Sequence, residues 1–250
     1  MCIYNLDKSS RRRVLYHATL EHFRSGQGLD YTARQRIEES GRIIPDTDLL
    51  RDIAKEYKVI RGIPKPDEFG DDSAAISLVR EINKIKNNWP NKMTDKAEKC
   101  LSFCEEAKTQ GWTRKKQISA VTKFMWFLCP EGWTVYDRFA RRGLCIYKDD
   151  QKLAVRKFYG TLETRGFVET ASNITQTIRG EDQSLGWLYG ERVIDKYLMI
   201  AGGAVESNLI KSVQTIKGML QAEDAKNAHA LAEAVADQHW DDPFFLPPQD

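Results

Sequence analysis

The sequence predicts an all-α protein, a compact arrangement of roughly ten helices with at most a minor strand pair. Apolar residues recur at intervals of three and four over most of the chain. Alternation of apolar and polar residues, which is typical of strands, is almost absent. The segment from Val205 to Gln238 is rich in alanine, lysine and glutamate, which favour helices.

Composition supports a globular protein and excludes several classes. The chain has 250 residues, of which 41% are hydrophobic and 30% charged, enough for one large or two small domains. The first residues lack the apolar core of a signal peptide, and no apolar run is long enough to span a membrane. We therefore expect a cytoplasmic monomer. The net charge of +2 means that any nucleic-acid surface must come from local clusters.

The first part of the chain is predicted to be a polar helical segment, residues 1–66. The segment RGIPKPDEFGDD, residues 61–72, is the best candidate for a boundary, and residues 67–250 would form the core. One continuous domain is the alternative. A helix follows in DDSAAISLVREINKIKN, with Asp71 and Asp72 suited to its start. Its predicted apolar stripe is Ile76, Val79, Ile82 and Ile85.

Two further helices are predicted before residue 130. One runs from Asp95 to Lys108 and ends at Gly111; its apolar side is Ala97, Leu101 and Cys104. The next is capped by Thr113 and ends before Pro130 and Gly132. Its apolar positions are Ile118, Val121, Met125 and Leu128.

The remaining elements are also mainly helical. A helix is expected from Asp137 towards Tyr147, followed by helices in LAVRKFYGTLET and ERVIDKYLMIAG, the latter stopped by Gly202 and Gly203. GFVET, around Val168, is the best strand candidate. The proline-rich tail is not helical, but Phe244 and Phe245 are expected to dock onto the body.

The five cysteines show no metal-binding or CxxC spacing, so we expect all of them to be reduced, with no metal site or iron–sulfur cluster. The sequence also lacks GxGxxG and GxxxxGK[ST], and no cofactor is expected.

The stretch SAVTKFMWFLCPEGWTVYDRFARRGL, residues 119–144, contains the two candidate catalytic residues. Lys123 has Ser119 four residues before it and Trp126 and Phe127 after it on the same helix face. A desolvated lysine there would be nucleophilic, although an isolated lysine more often extends to solvent. Asp137 precedes a basic helix, where it suits an N-cap and also a fixed, ionised group in a cleft.

The order of these parts resembles the helix-hairpin-helix DNA glycosylases, particularly the 8-oxoguanine glycosylase branch. The resemblance implies that Lys123 attacks the sugar and that Asp137, within VYDRFAR, stabilises the developing sugar cation. ERVIDKYLMIAGG is similar to a late helix that contributes Asp195 to the base pocket, for which Trp126 and Trp133 are further candidates. The hairpin glycines of the family are absent from ISAVTK, so the phosphate clamp is expected to be remodelled.

Two basic clusters flank this stretch in sequence. WTRKKQ places Lys115 and Lys116 in the first turn of the helix predicted after Thr113, and the helix after Asp137 carries Arg138, Arg141 and Arg142 on one face. Both are predicted to bind DNA phosphates, with a solvated charged face as the alternative.

The sequence therefore predicts a DNA glycosylase that flips a damaged or modified base from DNA, in repair or in defence against phage DNA. If Lys123 is the nucleophile the enzyme also has lyase activity, and otherwise water attacks. The alternatives are a non-catalytic helical DNA-binding protein and a helical protein–protein adaptor.

Overall fold

The structure, a computed structural model, shows an all-α chain. It describes residues 2–26, 28–66, 70–147, 150–182, 185, 187–203 and 222–247. These residues form eleven helices and no strand, which confirms the predicted fold class. None of the described helices is long and apolar enough to cross a membrane.

The helices are α1 Lys8–Gly26, α2 Leu29–Glu39, α3 Thr47–Glu56, α4 Ser73–Asn87, α5 Met93–Thr109, α6 Ile118–Leu128, α7 Arg138–Gly143, α8 Gln151–Thr164, α9 Phe167–Glu181, α10 Gly190–Ala201 and α11 Ala222–His239. Short 3-10 turns lie at Ile3–Asn5 and Ile60–Gly62. The expected helical region from Val205 is described only from residue 222; residues 204–221 lie outside the described part.

The chain forms two compact units. The first combines Met1–Gly28 with Asp137–Asp250, and the second is Leu29–Tyr136. The boundary predicted between residues 66 and 67 therefore lies inside the second unit.

In the second unit, α6 is the central helix and packs against α2, α3, α4 and α5. Every residue of α6 except Ser119 is buried. The predicted apolar positions from Ile118 to Leu128 are all in this core, as expected.

The predicted start of α6 at Thr113 is wrong. The hydroxyl of Thr113 donates to the carbonyl of Lys115, and the helix begins five residues later at Ile118. The segment between them is tied to the Ile60–Gly62 turn, because the N–H of Arg114 donates to the carbonyl of Gly62. A long-range contact with a turn more than fifty residues earlier was not visible in the local pattern.

The predicted stripe of α4 is partly wrong. Ile76 is 58% exposed, and the buried face consists of Ala75, Leu78, Val79 and Ile82. The predicted helix start is confirmed: Asp72 is the N-cap residue, with its side chain in an ion pair with Arg51, and Asp71 accepts the N–H of Ser73. Alanine is often buried in proteins, and here Ala75 lies in the buried face that was predicted to contain the larger Ile76.

In the first unit, α10 packs against α1, α7 and α9. Three glycines allow this close packing. A Cβ at Gly202 would overlap the carbonyl oxygen of Phe139, and one at Gly143 would overlap that of Leu198. A Cβ at Gly190 would overlap the carbonyl oxygen of Ala171 in α9. The ends of α10 are thus held by backbone-to-backbone contact with α7 and α9.

The strand expected at GFVET does not form. Gly166 adopts a φ of +72°, and the following residues begin α9. Val168 is 47% exposed in the first turn of that helix, so its β-branched side chain has no sheet to pack against. The left-handed glycine separates α8 from α9.

The chain ends of the first unit are anchored. Phe244 and Phe245 are fully buried, which confirms that the tail docks. The guanidinium of Arg165 donates to the carbonyl of Phe244 at 2.8 Å. At the other end, Cys2 and Cys145 form a disulfide with a Cα–Cα distance of 5.4 Å, so the expectation of five reduced cysteines is wrong. Their separation of 143 residues made this pair invisible to a spacing argument.

We predict that Gly202→Ala lowers the free energy of unfolding by about 1–3 kcal/mol, the usual range for overpacking. The added methyl group would collide with the Phe139 carbonyl, which belongs to helix backbone and moves little. Gly160→Ala in α8 is the matched control, since a Cβ there meets open space. It should raise stability by up to about 1 kcal/mol through helix propensity. Urea unfolding measures both; a Gly202→Ala variant as stable as the parent would contradict the close packing.

Candidate functional site

Lys123 lies on the buried helix α6, and only 4% of it is exposed. Its Nζ donates to the Oγ of Ser119 at 2.7 Å and to the carbonyl of the same residue at 3.3 Å. Because Ser119 is four residues earlier, the lysine stem runs along the helix towards the N-terminus. The prediction that Lys123 is desolvated among apolar residues is therefore consistent with its burial.

An aromatic ring and a buried carboxylate extend this polar contact. The Nζ of Lys123 lies 5.8 Å from the ring centroid of Tyr57, within the range of a cation–π contact. The Tyr57 hydroxyl donates to Oδ1 of Asp30 at 2.8 Å. Asp30 is only 5% exposed, and its Oδ2 has no hydrogen-bond partner among the described residues. Ser119, Lys123, Tyr57 and Asp30 therefore form a chain of polar contacts within the second unit.

Trp126 and Trp133, predicted as pocket residues, are core residues. Their exposed fractions are 1% and 0%. The indole N–H of Trp133 donates to the carbonyl of Thr122 at 3.1 Å, and its ring packs edge-on against Trp89. Trp126 packs against Phe127 and lies under the guanidinium of Arg34. Since neither ring has an open face, we do not include them in the proposed site.

Asp137 is the N-cap of α7 in the first unit. Its Oδ1 accepts the N–H of Phe139 at 2.7 Å, as the sequence predicted. The side chain is partly exposed, and no cation forms an ion pair with it within the described residues. The helix is shorter than predicted and ends at Gly143. At this residue the backbone lies against the carbonyl oxygen of Leu198.

The three arginines of α7 lack carboxylate partners throughout the described part of the chain. Arg138 and Arg142 are exposed, and both lie near the Phe139 ring, at 4.7 and 5.9 Å from its centroid. The Nε of Arg141 is buried and has no acceptor among the residues that the structure describes. Like charges on adjacent helix positions repel one another, so this face gains from an anion. The sequence predicted the arginines but missed Phe139, which is partly exposed between them.

The other basic cluster is placed differently from its prediction. Lys115 and Lys116 lie in the loop before α6, not in the first helical turn. Lys116 is neutralised by Glu105 at 2.5 Å, whereas Lys115 is exposed. Both belong to the second unit and the arginines of α7 to the first.

Asp195 is fully buried in α10. Its carboxylate forms an ion pair with Arg192, which is 4% exposed. Asp195 neutralises the buried guanidinium, and burying either charge without its partner would be costly. The pair therefore has a structural role. We therefore leave Asp195, the predicted pocket residue, out of the proposed site.

The predicted catalytic residues are thus fixed by separate parts of the chain. Lys123 is held in the second unit by Ser119, and Asp137 is held in the first by its own helix. Sequence reasoning noted Ser119 as a helix neighbour of Lys123 but gave it no role; the four-residue spacing was the signal.

No protein-family model matches the sequence, and no curated protein or solved structure is significantly similar to it. The function proposed below therefore depends on the side chains just described.

We predict that Asp137→Ala lowers the free energy of unfolding by about 0.5–2 kcal/mol, the usual effect of losing an N-cap. Asp137→Asn should change stability little, because an amide oxygen can accept the Phe139 N–H equally well. Urea unfolding of both variants measures the difference. If asparagine destabilises as much as alanine, the fold requires the negative charge itself.

Proposed function

We propose that this protein is a DNA glycosylase that excises a damaged or modified base, acting in the cytoplasm in repair or in defence against phage DNA. The observation that carries the proposal is the partly exposed Asp137 carboxylate at the entrance of a helix with three unneutralised arginines. An acid fixed beside uncompensated cations suits a substrate that is anionic along its backbone and becomes cationic at one sugar.

The arginines would bind the phosphates around the target nucleotide. Guanidinium groups bind phosphate oxygens with two hydrogen bonds, and none of these three arginines forms an ion pair among the described residues. Phe139, flanked by two guanidiniums, offers a partly exposed ring beside them. Contacts of this kind position DNA without reading its sequence.

In the glycosylase family that the sequence resembles, backbone amides of the hairpin bind a phosphate. Helix α6 does not offer such a set of free amides at the corresponding residues. The residues that replace the hairpin glycines, Ser119 to Val121, are helical. The N–H groups of Ala120 and Val121 both donate to the carbonyl of Gln117. Because these amides are occupied, phosphate binding would depend on side-chain cations.

Asp137 would act on the glycosidic bond of a base flipped out of the stack, since this carbon is inaccessible in the duplex. As the bond breaks, its electron pair leaves with the base and positive charge develops on the sugar. A fixed carboxylate stabilises that charge without reorganisation. Water then adds to the sugar carbon.

A second candidate is a DNA-binding protein without catalytic activity. The arginine face of α7 alone would account for binding. In such a protein Asp137 would only cap the helix, and asparagine could replace it without loss of binding. Release of free base separates this candidate from the first. A protein–protein adaptor, the third candidate, would show no salt-sensitive binding to DNA.

We predict that DNA affinity falls steeply with salt despite the small net charge. Arg138→Ala with Arg141→Ala should weaken binding to all sequences alike and reduce the slope of log K against log salt by about 2, roughly one per lost phosphate contact. Fluorescence anisotropy over a salt series measures this. The control is Arg80→Ala with Lys84→Ala, which removes two exposed cations that are already paired with Glu81. Equal slopes for both double variants would identify the arginine face as merely solvated.

We predict that base release depends on the charge of Asp137. Asp137→Asn should lower the rate by at least about a hundredfold, in line with loss of one preorganised transition-state interaction. Duplexes with a panel of modified bases, together with phage DNA containing hypermodified bases, are screened for abasic sites by alkaline cleavage. Thermal unfolding and DNA affinity serve as controls on folding and binding. Full activity of Asp137→Asn on any cleaved substrate would overturn the assignment.

A further inference from the structure

A disulfide bond joins the end of the arginine helix α7 to the start of the chain. Cys145 lies two residues after Gly143, the last residue of α7, and it pairs with Cys2. Cys2 is 1% exposed, whereas Cys145 is partly exposed. The bond is therefore accessible to solvent at its Cys145 end, next to the helix that carries the three arginines.

Cys145 has a backbone conformation that favours glycine. Its φ is +59°, in the left-handed region where a Cβ is costly. In this conformation its N–H donates to the carbonyl of Arg142 at 2.9 Å, and the N–H of Ile146 donates to the carbonyl of Arg141 at 3.1 Å. This is the Schellman arrangement at a helix end, and Cys145 occupies the position that is usually glycine. The last carbonyls of α7 therefore depend on an unfavourable conformation of one residue.

We propose that the disulfide between Cys2 and Cys145 is a redox switch for the arginine face of α7. When the bond is intact, it holds Cys145 in the left-handed conformation, and the last turn of the helix keeps its hydrogen bonds. When the bond is reduced, Cys145 leaves that conformation, and the backbone of Arg141 and Arg142 loses its terminal hydrogen bonds. This inference rests on the proposed function, in which these arginines bind DNA phosphates.

The length of α7 makes it sensitive to such a change. It has six residues, so the last turn is more than half of the helix. Lys58 provides a comparison, because it has a φ of +56° after the ten-residue helix α3. A longer helix thus tolerates a residue with a side chain at this position. In α7, the contact of Gly143 with Leu198 fixes the helix up to that residue, and the disulfide fixes the turn beyond it.

The other half of the disulfide is held in place by contacts that do not need the bond. Ile3, next to Cys2, is fully buried. The guanidinium of Arg165 lies 4.9 Å from the ring centroid of Tyr4. These contacts keep the Cys2 thiol close to Cys145 after reduction, at a high effective concentration, so that the bond can form again.

The redox step is thiol–disulfide exchange with a dithiol as the reductant. A thiolate of the dithiol attacks the Sγ of Cys145, and the S–S bond breaks with its electron pair on the Sγ of Cys2, which takes up a proton. The second thiolate of the reductant then attacks the reductant's own sulfur in the mixed disulfide. This releases the thiolate of Cys145, which is protonated in turn. The protein gains two electrons and two protons, and the dithiol becomes a cyclic disulfide.

The three free cysteines react too slowly to replace this pair. Burial raises the pKa of the Cys100 thiol well above its usual range and the pKa of Cys104 to about 12. Burial also raises the pKa of Cys129. Since the thiolate is the reacting form, these thiols exchange slowly at neutral pH. In the cytoplasm, where the proposed function places the protein, disulfides are usually transient or redox-sensing.

The test compares the oxidised and reduced forms of the full chain at one salt concentration. The protein is equilibrated with cyclic oxidised dithiothreitol or with dithiothreitol, and hydrogen exchange of the Ile146 amide is followed by NMR. On reduction we expect this amide to exchange at least about tenfold faster. DNA affinity, measured by fluorescence anisotropy, should fall at least about fivefold, since two phosphate contacts are weakened. Reduction of the parent reaches the open state without any substitution.

Two variants separate the turn from the crosslink. Cys2→Ser cannot form the bond and should match the reduced parent in both measurements, with or without dithiothreitol. Cys2→Ser combined with Cys145→Gly also lacks the bond, but glycine favours the left-handed conformation. This double variant should restore slow exchange and DNA affinity to within about twofold of the oxidised parent, independently of the reductant. Cys129→Ser, which removes a partly exposed free thiol, is the matched control and should respond to reduction like the parent.

The results distinguish failure of the switch from failure of the proposed function. Equal exchange and equal DNA affinity in the oxidised and reduced parent would show that the disulfide is only a structural crosslink. A double variant that behaves like the reduced parent would show that the left-handed turn is not the element that responds. Both results overturn this inference and leave the glycosylase proposal intact. If reduction speeds exchange of Ile146 but the oxidised parent binds no DNA, the switch in α7 stands and the proposed function fails.

Discussion

The burial of an ammonium group in α6 is the constraint around which the second unit is built. Moving such a group out of water costs on the order of several kcal/mol, even after the protein relaxes around it. Two hydrogen bonds to Ser119 and the face of Tyr57 offset part of that cost. A core that needed only packing would be stable with a leucine or methionine at this position. The polar chain from Asp30 to Ser119 is therefore difficult to explain by folding alone.

The first unit is organised around a different constraint, close contact between helix backbones. Gly143 and Gly202 bring α7 and α10 together with no room for side chains between them. The disulfide of Cys2 and Cys145 then secures the chain just after α7. Helix α7 has six residues and is too short to be stable alone. These contacts fix its orientation within the first unit. Asp137 and its arginines owe their fixed positions to this packing.

Sequence patterns predicted the elements whose structure is decided locally. The apolar repeat from Ile118 to Leu128 and the cap at Asp137 were predicted, because periodicity and capping depend on neighbouring residues. The patterns failed where a distant contact decides the outcome. Pairing of Cys2 with Cys145 and the complete enclosure of Trp133 depend on chain segments far apart in sequence. The exposure of Ile76 similarly depends on which face of α4 meets α3 and α6.

The distinction between a cap and a catalyst at Asp137 is a question of charge. A helix start needs an oxygen that accepts the N–H of Phe139, and serine, threonine or asparagine would supply one. The three arginines of α7 have no partner elsewhere among the described residues, and Asp137 forms an ion pair with none of them. Neutralising the helix is therefore not the function of this carboxylate. Under the proposed function, the Asp137 carboxylate would stabilise positive charge on the sugar while the arginines of α7 bind the neighbouring phosphates, and the two roles need both kinds of side chain on one helix.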